Sequence, residues 1–165
     1  MSGSGDNGGV KGISGVQHFD HVGIVVDDLE LVTAFFVDLG FERSGSMRLE
    51  DKWIDRVVRL DGVQLEMVSV SAPDGSGRIE LTKFHRPADP AAAQGPLANR
   101  LGIRHIAYIV DDLDSVVERL RGRGVETVGE IVDFENIFRL CYIGGPEGLI
   151  VELAERIDGD ADKAA

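Results

Sequence analysis

The sequence predicts an α+β chain built from two βαβββ modules, on three observations. Residues 20–42 (DHVGIVVDDLELVTAFFVDLGFE) and 104–126 (RHIAYIVDDLDSVVERLRGRGVE) align without a gap, pairing His21 with His105, Asp27-Asp28-Leu29 with Asp111-Asp112-Leu113, and Gly40 with Gly124. Each copy passes from an alternating apolar pattern to one with helical spacing. Each is then followed by further strand-like runs broken by a Pro-acidic-Gly turn. An internal repeat of this kind sets the architecture before any other reading, since each copy is one supersecondary unit.

The first element of each unit is a strand. Val22, Ile24 and Val26 alternate with His21, Gly23 and Val25; Ile106, Tyr108 and Val110 alternate with His105, Ala107 and Ile109. Strand side chains have period two, so the bulky row packs on a layer and the histidine points to the opposite face. The following Asp pairs supply N-cap candidates and favourable charge at a helix start. Leu29, Val32 and Phe35/Phe36 keep the spacing of an amphipathic helix, as do Leu113, Val116, Val117 and Leu120, which predicts helices over 28–39 and 112–122. Gly40 and Gly124 stand where a terminating glycine belongs. In unit one, 43–49 reads as a weak strand and 52–60 is ambiguous between strand and a short helical turn. VQLEMVSV (63–70) and RIELTKF (78–84) are strands joined by SAPDGSG. Unit two condenses this to FRLCYI (138–143), the turn GGPEG and LIVELAE (149–155).

Around these units, 1–15 (MSGSGDNGGVKGISG) is expected to be a flexible leader and 158–165 a flexible tail. The modules run over 16–86 and 103–157, with the Pro- and Gly-bearing stretch 87–102 as linker. The 43% hydrophobic and 28% charged fractions are those of a soluble globular chain large enough for a sizeable core. A net charge of −12 argues against nucleic acid or an anionic membrane as partner, because both require a basic face. No apolar run approaches ~18 residues and no apolar signal segment opens the chain. With one cysteine, Cys141, no internal disulfide is possible, which suits a reducing cytoplasm.

The two turns fix a second alignment, which pairs Glu80 with Glu152. In RIELTKF the alternation sends Ile79 and Leu81 to one face and Glu80 to the other; in LIVELAE, Val151 and Leu153 oppose Glu152. The polar member of each strand thus faces away from the helix layer. If the two sheets curve toward each other, His21, His105, Glu80 and Glu152 converge as an N₂O₂ set suited to a divalent metal, with positions left for water or substrate. A lone strand histidine is ordinarily a structural hydrogen-bonder. Two at matched positions, each with a matched glutamate, exceed that explanation.

On DHVGIVVDDLE, IELTKFHRP, RHIAYIVDDLD and GPEGLIVELAE the chain resembles the vicinal oxygen chelate superfamily: glyoxalases, extradiol dioxygenases, methylmalonyl-CoA epimerases and antibiotic-resistance proteins. The resemblance covers about 18–157. It implies paired βαβββ modules forming a cup with helices on its outer faces. It also implies one divalent ion (Ni, Co, Zn, Mn or Fe) held by His21, Glu80, His105 and Glu152. This ligand set is similar to that of bacterial glyoxalase I and implies a lyase or isomerase acting on a small-molecule substrate. The metal would chelate vicinal oxygens and stabilise an enolate-like intermediate, with Glu80 or Glu152 as general base. A homodimer is implied by the same resemblance. An extradiol-type dioxygenase, with His85 as its base, and a non-catalytic antibiotic-binding protein are the alternatives.

Several other side chains are weaker candidates. Glu66 is the rival carboxylate, as ligand or as a cup-lining group, although the turn alignment pairs it with Arg139. His18 is expected at the surface, and His85 at a solvated strand end or the cup mouth. Cys141 reads as a small core residue. Trp53, Phe84, Tyr108 and Tyr142 are candidates for substrate walls, each also a natural core residue, and Lys83 and Arg139 could hold an anionic substrate.

Overall fold

A computed structural model of the chain describes residues 18–88, 95–99 and 101–157. The expected leader, the expected tail and part of the linker (89–94 and 100) lie outside the described residues. Unit one contains β1 (Val22–Val25), α1 (Leu29–Asp38), β2 (Glu42–Leu49), α2 (Lys52–Val58), β3 (Gln64–Ser71) and β4 (Arg78–Arg86). Unit two contains β5 (Ile106–Ile109), α3 (Leu113–Arg121), β6 (Val132–Phe134), β7 (Phe138–Gly144), a 3-10 turn (Pro146–Gly148) and β8 (Ile150–Arg156). The strands form two four-stranded sheets of the same design, ordered β1-β4-β3-β2 and β5-β8-β7-β6. In each, the first strand pairs in parallel with the last, and the remaining pairs are antiparallel.

The repeat seen in the residues persists in the hydrogen bonds. Asp28 Oδ1 accepts from Leu31 N–H and Asp112 Oδ1 from Ser115 N–H, each at 2.9 Å, so both helices start on an aspartate cap. Both end alike, with Phe41 N–H donating to Phe36 O and Val125 N–H to Leu120 O at 3.0 Å. Gly40 and Gly124 sit at φ +98 and +82, a backbone region that residues with a Cβ rarely adopt. Residues 52–58 resolve as a helix, capped by Asp51. The βαβββ pattern calls for a strand between α3 and β7, and β6 supplies it: Val132-Asp133-Phe134 alternates, but over three exposed residues, too short a run to be located in the sequence.

The apolar rows behave as expected. Val68, Val70, Ile79 and Leu81 of one sheet and Cys141, Ile143, Val151 and Leu153 of the other are buried with α1 and α3 in one continuous core. The modules join through this helix side. The Phe41 ring meets Tyr108 edge-on at 4.9 Å, Arg123 pairs with Asp38, and Phe35 packs on the backbone of Gly145. Glu147, on the turn between β7 and β8, accepts the N–H groups of Asp27 and Asp28 at 2.7 and 2.6 Å. Its carboxylate therefore sits at the positive end of α1. A smaller cluster (Ile54, Val63 and Leu65 with Leu49, Met67 and Phe84) anchors α2 on the other face of the first sheet. No helix among the described residues is long and apolar enough to cross a membrane.

Candidate metal centre

Sheet register sets the candidate site. Glu80 lies opposite Gly23 of β1, two residues beyond His21; Glu152 lies opposite Ala107 of β5, two residues beyond His105. With period-two alternation, histidine and glutamate share a face in each module. His21 Nε2 is 3.2 Å from Glu80 Oε2, and His105 Nε2 is 3.3 Å from Glu152 Oε2. The imidazoles are 37% and 42% exposed and both glutamates 19%, so the pairs are held in place yet reachable from solvent.

The four residues come together as two pairs and not as one group. Among the described residues no cluster of three or more His, Cys, Asp or Glu is gathered around a point that could take a metal ion. The expected convergence of all four is therefore not found within one chain. The cause is the packing of the modules: their shared core lies on the helix side, so each His/Glu face is left without the other beside it. Each pair nonetheless fits half of a coordination shell. Two donors about 2.1 Å from one ion, at angles between octahedral and tetrahedral, stand about 3.0–3.4 Å apart. The observed separations lie in that range.

The halves differ in what surrounds them. Asp20 Oδ2 lies 2.6 Å from His21 Nδ1 and also accepts from Arg78 Nη2 at 2.6 Å; Arg78 Nη2 is 3.5 Å from Glu80 Oε1. The hydrogen bond to His21, reinforced by the Arg78 charge, holds the Asp20 carboxyl below its usual range. In the second half, the residue before His105 is Arg104, whose guanidinium turns to the carbonyls of Leu97 and Gly148. His105 instead has the Tyr142 ring against it, centroids 5.1 Å apart and tilted by 31°. Tyr142 is the cross-strand partner of Glu152, where the first module places Ser69 beside Glu80. Asp20, Arg78 and Glu147 were not singled out in the sequence. For Asp20 the available signal was the mismatch between DH in one copy and RH in the other.

The remaining candidates separate by face. Glu66 shares its face with buried Val68 and Val70, pairs with Arg48 and lies 2.9 Å from His85 Nε2. Neither it nor His85 joins the His21–Glu80 pair, so Glu66 does not line the site face as suggested. Those contacts, Arg48 first, keep the Glu66 carboxyl below its ordinary range. Arg139, likewise on the helix side, binds Asp114 at 2.8 Å, and Lys83 points to Asp27. Cys141 is a core residue at 1% exposure, and burial pushes its thiol up. Tyr108 packs on the helix side, whereas Phe84 lies under α2 on the Glu80 face. Trp53 is exposed and His18 is at the surface.

The profile of the Glyoxalase/Bleomycin resistance protein/Dioxygenase superfamily matches residues 20–142. A glyoxalase family protein from Bacillus cereus has a similar crystal structure, at TM-score 0.83 and 36% identity, over 90% of this chain and 100% of that one. The uncharacterized protein YwkD of Bacillus subtilis is 30% identical over 142 residues, spanning 86% of this chain and 98% of its own. A fosfomycin resistance protein, FosX, of Listeria monocytogenes shares the fold at TM-score 0.53 and 19% identity, over 86% of this chain and 89% of that one. Its structure, that of a variant, holds Mn(II) and 1S,2S-dihydroxypropylphosphonic acid.

Proposed function

The chain belongs to the Glyoxalase/Bleomycin resistance protein/Dioxygenase superfamily, and from that premise we propose that it is a metal-dependent lyase or isomerase of glyoxalase type acting on a small molecule. In this reading each metal centre is shared by two copies: His21 and Glu80 of one meet His105 and Glu152 of the other. The observation that carries it is the pair of His–Glu separations, 3.2 and 3.3 Å at matched positions, each suited to half a shell. A twofold dimer that brings unit one of each copy to unit two of the other completes two identical centres at once. The strand edges support this arrangement. Among the described residues β1 and β5 each have a neighbour on one side only, and Val25 and Ile109, in line with the histidines, are 68% and 67% exposed. Edges and apolar side chains of this kind ordinarily become covered.

A divalent ion held there would act as a Lewis acid, offsetting negative charge that develops on a substrate oxygen. The chain's own groups divide the remaining work. Arg78 Nη2 lies 3.5 Å from Glu80 Oε1 and restrains that carboxylate, whereas the matching position in unit two is the buried Ile150. Glu152 is thus the less restrained carboxylate and the better placed to take a proton from carbon alpha to a carbonyl. Tyr142 gives that half an aromatic wall, and α2 closes one end of the opposite half with Trp53 at its surface. His85, the base an extradiol reaction would call on, is engaged by Glu66 away from Glu80, which favours the lyase or isomerase reading.

The test is reconstitution with Ni, Co, Zn, Mn and Fe, followed by elemental analysis and sedimentation. A panel of thiol-hemithioacetals, acyl-CoAs and catechols then reports activity. One ion per chain in a dimer is expected, with E80Q and E152Q each weakening metal retention and E152Q lowering turnover by about 10²–10⁴-fold. Less than half an equivalent for every ion tried would reject the reading.

A further inference from the structure

We propose, building on the shared metal centre, that its substrate carries an elongated apolar body beside two chelating oxygens, and that this body lies along the open sheet face of unit two. Counted in cross-strand rows from the His–Glu pairs, the two sheets match. On the Glu80 face the third row is Leu49, Leu65 and Phe84; on the Glu152 face it is Phe134, Phe138 and Arg156. The connection beside that row differs between the modules. In unit one, residues 50–63 join β2 to β3 and carry α2, which buries Ile54 in one cluster with Leu49, Leu65 and Phe84. In unit two the corresponding connection is residues 135–137 alone. Glu135 and Asn136 there have φ +51 and +56, and Ile137 N–H donates to Phe134 O at 2.9 Å, a tight hairpin turn that leaves no chain for a helix. The same face is therefore roofed in one module and open in the other.

The open surface is apolar and begins at the site. Tyr142 is the cross-strand partner of Glu152, and the next row is Ala154, Leu140 and Val132. At about 3.4 Å per residue, Leu140 stands ~7 Å and Phe138 ~14 Å along the strands from the Glu152 row. Val132 and Phe134 are 47% and 52% exposed, with Leu140 and Phe138 half-buried beside them. In a chain of net charge −12, neither of these rows holds a carboxylate. Arg156, its guanidinium 5.5 Å from the centre of the Phe138 ring, ends the track. A substrate anchored by its oxygens at the metal thus meets α2 in one direction and continuous apolar surface in the other. A polar body laid there would lose its water without gaining partners, whereas an apolar one gains by burial. Continuity with the His105–Glu152 pair is what selects a substrate as the occupant.

The probes are straight-chain hydroxamates from acetohydroxamate to octanohydroxamate, which chelate a metal through two neighbouring oxygens and differ only in apolar length. Calorimetry on the full chain reconstituted with Zn(II) should show affinity rising about fourfold for each methylene buried on the track. V132S, at an exposed position, and L140S should each lower the ratio of octano- to acetohydroxamate affinity by about 3–10-fold. In the metal-free chain, millimolar octanohydroxamate should shift the methyl resonances of Val132 and Leu140, and acetohydroxamate should not. If Zn(II) is retained and all the hydroxamates bind alike, or both variants leave the ratio unchanged, the apolar track is refuted while the metal reading stands. If no Zn(II) is retained but octanohydroxamate alone shifts the two residues, the track stands and the metal reading fails; without those shifts the track fails as well. A flat series together with dissociation of the V132S dimer in sedimentation would make this face a contact between copies and overturn the proposal.

Discussion

Replacing Gly145 with alanine tests how the two modules are joined. Gly145 has φ −86 and ψ 175, which any residue adopts, so the change adds no backbone strain. The cost comes from contact. A Cβ built there lies 2.9 Å from both Cε1 and Cζ of Phe35 and 3.1 Å from Leu149 Cβ, against about 3.5–4.0 Å for relaxed carbon pairs. Phe35 cannot easily yield: it is 4% exposed and its ring stands edge-on to Phe36 at 5.3 Å. Overpacking of this kind costs about 1–3 kcal/mol. In a chain of this size that lowers Tm by about 2–12 °C. Urea unfolding should show a lower midpoint at unchanged slope, since the area exposed on unfolding is the same. Trimming the opposing ring, F35L, should be less damaging in G145A than in wild type, with a coupling of at least about 0.5 kcal/mol. A G145A midpoint equal to wild type, or strictly additive losses, would show that Phe35 and Gly145 do not meet.

Another inter-module tie is Glu147, and E147A should cost about 1–3 kcal/mol by removing two charge-assisted bonds at the start of α1. Urea unfolding measures it, and high salt should shrink the difference. Burial pushes the Tyr108 phenol up to about 12, so ultraviolet titration of the two tyrosines should show one ionising well above the ordinary value near 10. The unfolded chain releases that proton first as pH rises. Stability should accordingly fall between about pH 10 and 12, and less steeply in Y108F.

Much of the fold was legible because the repeat is written in local chemistry. Aspartate caps, terminating glycines and alternating strands act over a few residues, and the same signals recur at Asp28 and Asp112, at Gly40 and Gly124, and at Val22 and Ile106. The pairing of Glu80 with Glu152 was legible too. Turn chemistry sets the register of β4 and β8, and register sets the face. What escaped was structure with no local signature. β6 is three exposed residues long, so its Val132-Asp133-Phe134 alternation is too short to locate it. Glu147 acts on α1 from more than a hundred positions away, and Arg78 meets Asp20 only because β4 lies beside β1.

The sequence by itself determined two βαβββ modules and a histidine–glutamate pair on one face of each, because period-two alternation and turn position are local properties. It could not decide how those pairs lie relative to one another. The tertiary structure decided that. Burying Phe35, Phe36, Phe41 and Tyr108 removes far more apolar surface from water than bringing four polar side chains together would, and the free energy of burial scales with that area. The modules therefore close on their helix sides, and the two pairs remain separate faces of a single chain.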